Sequence, residues 1–179
     1  MRGRIKTVVL GILVLGLLVA NYDVAFAHKW WKWHWDKSTI KVGIWNCATE
    51  ANAAKVDWDS HTQLSLPGSS THTDISVWCD NFGNTGWWGL ASIEDSSWDT
   101  WHCFWWCRIS HGHARFNTYY GGSTGAGATS ERRGVLCQEV GHLFGLDHSN
   151  TGGCMAKGYY SPSSNVTNAH NWSDINSMY

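Results

Sequence analysis

Between residues 38 and 45 the chain alternates, with Ile40, Val42 and Ile44 on one face and Lys41 and Gly43 on the other. A period of two predicts a strand. Residues 48–58 follow, alanine-rich and free of Gly and Pro, which predicts a helix. Residues 62–66 alternate weakly and stop at Pro67-Gly68. The stretches TDISVWC (73–79) and WWGLASIE (87–94) read as further strands, and 108–120 contains one toward its end. The Gly/Ser/Thr-rich stretch 121–130 predicts a flexible loop. Residues 131–145 form the strongest helix, with Glu131 suited to its positive N-terminal end and Gly145 to its stop. A short closing helix is expected within 171–179. There is no internal repeat and no long linker. The order of elements predicts one α+β domain.

The first residues fall outside this pattern. Arg2, Arg4 and Lys6 precede an aliphatic run over 8–20, and Ala25-Phe26-Ala27 ends the segment. A basic start, a short apolar stretch and an A-x-A end read as a signal peptide over 1–27. The run is short of the roughly 20 residues that span a bilayer. The expectation is a secreted, extracellular domain over 28–179, with no membrane contact after signal removal. Without Arg2, Arg4, Lys6 and Asp23, 10 basic residues face 13 acidic ones, a net charge near −3. Nothing in that balance favours nucleic acid, which would call for a basic patch, and no nucleic-acid partner is expected.

Six cysteines, Cys47, Cys79, Cys103, Cys107, Cys137 and Cys154, read as three disulfides in an exported chain. Fourteen tryptophans are the compositional oddity, clustered at 28–36 and 96–107. Trp45 and Trp78, inside strand-like stretches, read as core. Trp30, Trp31, Trp33 and Trp35 are open between core filling and a surface for glycan, cell wall or a protein partner. Asn165 and Asn171 head N-glycosylation sequons, relevant in a eukaryotic host.

The chemistry concentrates in CQEVGHLFGLDHSNTGGCM, residues 137–155. On a helix Gln138 and His142, four apart, share a face, with Glu139 beside them. Gly145 can adopt a left-handed conformation and turn the chain, bringing His148 back beneath His142. Two imidazoles and a third donor hold a metal and leave a position for water. Glu139 is then placed to take that water's proton.

Residues 138–148 resemble the zinc-binding motif of metzincin metallopeptidases, matrixin-like ones above all, with Gln138 where the motif has its first histidine. Met155 resembles the Met-turn methionine, and Ser149 and the tail SDINSMY are also similar to matrixins. The resemblance implies a mixed twisted sheet with an active-site helix, a Met-turn and a short C-terminal helix. It implies Zn2+ held by Gln138, His142 and His148, Glu139 as general base, and Met155 as the floor of the site. The implied activity is that of a secreted zinc endopeptidase acting on protein or peptide. The chain departs from the pattern at Gln138, at Lys157 two residues after Met155, and in having no room for a sizeable propeptide between Ala27 and the first strand.

Gln138 leaves two readings. Its amide oxygen can ligate, though zinc prefers nitrogen and sulfur. His111 or His113 could stand in for it, or be ordinary histidines. The strand within 114–120 could serve as the edge that pairs with extended substrate. Cys137 and Cys154 flank the motif, and a bridge between them would tie the active-site helix to the Met-turn; Cys47–Cys79 and Cys103–Cys107 would follow. The alternative function is a metzincin-shaped binding protein of weak or no activity, using its tryptophans on glycan or protein.

Overall fold

The computed structural model describes residues 33–94, 107–120, 126–157 and 165–179. The leader, Trp30, Trp31, Cys103 and most of the 96–107 tryptophan cluster lie outside them. In chain order the elements are β1 (Trp33–His34), β2 (Val42–Trp45), α1 (Ala48–His61), β3 (Ile75–Asp80), β4 (Gly89–Glu94), β5 (Cys107–Arg108), β6 (His111–Asn117), α2 (Ala126–Leu143) and α3 (Ala169–Asn176). The fold is α+β, built on a mixed four-stranded sheet.

The sheet runs β2-β3-β6-β4. β2, β3 and β6 are parallel and β4 is antiparallel to β6. β1 and β5 form a separate small parallel pair. The weakly alternating stretch at 62–66 runs beside β2 through single bridges, Thr39 to Ser65 and Val42 to Gly68, rather than as a strand. The strand read within 114–120 begins at His111 and lies inside the sheet, so it cannot be the substrate-pairing edge. The described strand order ends on β2, which residues 65–68 flank through single bridges, and on β4, beside which no further described strand pairs.

Strand alternation divides the sheet's two faces. Val42, Ile75, Val77, Ala114 and Phe116 join the buried core on the face that receives α1 and α2. Trp45, Trp78 and Arg115 stand in register on the opposite face. This corrects the reading of Trp45 and Trp78 as core. Trp78 is 39% exposed and stacks on Trp45 with ring centroids 5.2 Å apart. Both occupy the outward parity of their strands, the one Trp45 shares with Lys41 and Gly43 and Trp78 with Ser76, so position along the strand decides against bulk. Among the described residues, Trp35 and Trp58 are the buried tryptophans. The Trp35 indole donates to the Leu143 carbonyl at 2.7 Å and the Trp58 indole to the Cys137 carbonyl at 3.1 Å.

α2 begins at Ala126, five residues before the predicted start and inside the stretch read as a loop. Local composition is a weak prior, and extending a formed helix avoids a new nucleation cost. From Val135 to Leu146 every residue of α2 and its C-terminal turn is buried, Gln138, Glu139 and His142 included. A helix covered on all sides carries no single apolar stripe. Polar groups there are costly and must be matched to partners. Disulfides link Cys47 to Cys79 and Cys137 to Cys154. Cys107 is disulfide-bonded as well. No helix among the described residues is long and apolar enough to cross a membrane.

Candidate functional site

α2 places Gln138 and His142 one turn apart and ends in a glycine turn. The Leu146 N–H reaches back to the Gly141 carbonyl at 3.2 Å, and the Gly145 N–H to the His142 carbonyl at 2.9 Å. This is a Schellman closure with Gly145 in the left-handed position, φ 92°. A side chain at 145 would also run into the Trp33 carbonyl. Two independent constraints therefore demand glycine there.

The turn returns His148 to His142, their ring centroids 4.8 Å apart and planes at 80°. The His142 Nδ1–H donates to the Leu146 carbonyl at 2.8 Å. That fixes the tautomer with the proton on Nδ1, so Nε2 is the nitrogen that could take a metal. Burial, above all, lowers the His142 pKa, so the ring is held in the neutral form a metal requires.

The Gln138 amide is oriented too. Its Nε2 donates to the Ala156 carbonyl at 3.1 Å. A carbonyl partner identifies the nitrogen end of the amide, so Oε1 is the atom a metal would use. Gln138 is thereby joined to the segment carrying Met155. That segment is fixed again by Ser149 N–H to Met155 O at 2.7 Å and Lys157 N–H to Ser149 O at 3.0 Å. Met155 is fully buried, and a side chain at Gly141 would strike its sulfur and the Trp58 ring. The Cys137–Cys154 bridge fastens the same two pieces of chain from the other side.

Glu139 lies against β4. A Cβ at Gly89 would collide with its carboxylate and with Val135, and the Ala91 backbone hydrogen-bonds it. Burial pushes the Glu139 pKa up to about 8, with the Ala91 hydrogen bond opposing. A carboxyl poised near neutral pH suits proton transfer. The sequence reading missed Gly89, Ala91 and Ala156. A lone glycine inside a strand pattern is a sign of close backbone approach, and Gly89 carried it.

His111 and His113 do not replace the missing histidine. Gly112, between them, faces α2, where a side chain would meet Leu143. Strand alternation puts His111 and His113 on the opposite side of the sheet from His142. Asn165 and Asn171 are both buried, and Asn171 forms the capping box of α3 with Asn168. Asn171 is committed to that cap rather than presented as a glycan acceptor.

No family model matches the chain, and no curated protein does. Among solved structures, that of myroilysin aligns with 64% of this chain and 52% of its own, at 14% identity and a TM-score of 0.42. The chain thus spans about half the length of that structure.

Proposed function

We propose that the protein is a zinc-dependent endopeptidase whose site is Gln138, Glu139, His142 and His148 over Met155. The observation that carries the reading is the His142–His148 pair, 4.8 Å between ring centroids, with the His142 tautomer set by Leu146. Gln138 Oε1, His142 Nε2 and a His148 ring nitrogen would hold the ion. Zinc bound there would supply Lewis acidity toward water and a peptide carbonyl. Glu139 takes the proton of the attacking water and delivers it to the departing amine. Its raised pKa suits both tasks. The edge of β4 away from β6, beside Glu139, offers backbone N–H and C=O groups to an extended peptide. Glu139→Ala should abolish cleavage of casein or gelatin while zinc content stays close to wild type. Cleavage at the wild-type rate would sink the mechanism.

The Trp45–Trp78 stack, with Trp78 exposed and Trp45 half-buried, favours a second reading, a binding protein that holds glycan or protein on the outer sheet face. It calls for glycan or protein retention that Trp78→Ala removes and Glu139→Ala leaves intact.

A further inference from the structure

Glu94, His111 and His113, on the sheet face turned away from α2, each offer one ligand atom, all within 4.8 Å of one another. We propose that they form a second metal site for zinc or a similar divalent transition ion, distinct from the cluster on α2. It requires nothing of the peptidase reading.

Topology makes the cluster. Glu94 ends β4 and lies directly across from His111, the first residue of β6. His113 is two residues further along β6 and shares the outward face. The two imidazoles meet edge to face, with centroids 4.7 Å apart. His113 Nε2 is 3.0 Å from Glu94 Oε1. Two donors on one tetrahedral zinc stand about 3.3 Å apart, given bonds of about 2 Å. This pair is therefore already near chelating distance.

The histidines are prepared as ligands. His111 Nδ1–H donates to the Thr73 carbonyl at 3.1 Å, which leaves Nε2 to coordinate and steadies the ring from a neighbouring element. His113 Nδ1 is buried without a hydrogen-bond partner, so its ring engages polar groups through Nε2, on the Glu94 side. Arg115, the next outward residue of β6, donates to Ser92 Oγ at 3.0 Å. Two imidazoles and one carboxylate suit zinc, cobalt or nickel better than calcium or magnesium, which favour oxygen. The Glu94 side chain is 61% exposed, so the site opens to solvent and has room for a fourth ligand.

A metal here would clamp the last residue of β4 to the N-terminal end of β6. β4 is the strand whose Gly89 and Ala91 contact Glu139. The role assigned is structural: fixing the sheet edge that borders the α2 cluster.

The test is zinc stoichiometry by elemental analysis after dialysis, with thermal melts. His142→Ala/His148→Ala protein should retain one zinc per chain and gain thermal stability on zinc addition. Adding Glu94→Gln and His113→Ala to it should weaken zinc binding at least tenfold and remove that gain. In parallel, His111→Ala/His113→Ala in the otherwise native chain should lose one zinc relative to wild type. Its metal-free melting temperature should stay close to that of metal-free wild type. Retention of the full wild-type zinc content by that variant would overturn the site, as would a His142→Ala/His148→Ala protein that folds and takes up no zinc. Failure of the peptidase reading would show instead as Glu139-independent activity, which leaves these counts untouched.

Discussion

Gly89 of β4 and Glu139 of α2 are packed so closely that the glutamate carboxylate occupies the space a side chain at position 89 would need. The pairing sets the depth at which Glu139 is buried and so its raised pKa. Gly89→Ala should push the carboxylate from its place and press on Val135. Overpacking of this kind costs about 1–3 kcal/mol. Peptidase activity should fall at least tenfold while the fold survives. Parallel measurement of kcat/KM and of urea unfolding checks both halves.

Glu139 also makes the metal-free protein pH-sensitive. Its pKa rises from 4.5 to about 8 on folding, so the folded state favours the protonated acid. The associated stability is full below pH 4.5 and is lost as pH rises through 8, by an amount on the order of a few kcal/mol. Glu139→Gln should remove this slope and make the chelated protein more stable than wild type at pH 8. His142, whose pKa burial lowers, acts with the opposite sign, destabilising the fold as pH falls through the ordinary histidine range. Urea melts of both forms across pH 5–9 in chelator test the difference. Parallel curves would refute it.

Gln138 donates to Ala156, so its replacement affects two things at once. Gln138→His should bind zinc more tightly, because imidazole is the better donor and its second N–H can take over the Ala156 carbonyl. Gln138→Ala loses both and should bind more weakly. Calorimetric titration at one pH should order the affinities His above Gln above Ala. Equal affinity for Gln and Ala would exclude ligation by Gln138.

The Cys137–Cys154 bridge closes a separation of 17 residues. Loop entropy assigns it about 3 kcal/mol. For a chain of this size, removal by paired serine substitution should lower the melting temperature by on the order of 10 °C. Zinc affinity should fall as well, because the bridge holds the Met155 segment to α2. Unchanged affinity would separate the bridge from the site.

Trp58 and Trp78 should behave oppositely. Trp58→Ala empties a fully buried position and should cost about 3–5 kcal/mol. Trp78→Ala, at an exposed position, should cost about 1 kcal/mol or less. Thermal melts of the two variants suffice.

The sequence by itself determined the local units. Alternation announced β2, β3 and β4, alanine content announced α1, and a left-handed glycine at 145 was foreseeable from the end of the apolar pattern. The spacing of Gln138, Glu139, His142 and His148 and the flanking cysteines were legible because a helix and its closing turn convert sequence intervals directly into distances. Trp45 shares the parity of Lys41 and Gly43, and Trp78 that of Ser76, so alternation already set both apart from Ile44 and Val77, and a reading by bulk overrode it. Which face meets the helices was not legible, nor was strand order, which makes β6 internal and β4 a terminal strand, because pairing depends on contacts distant in sequence. Those two decisions separated His111 and His113 from the α2 cluster and brought them to Glu94. They also set Gly89 against Glu139. Both pairings cross between elements, and only tertiary packing fixes which elements meet.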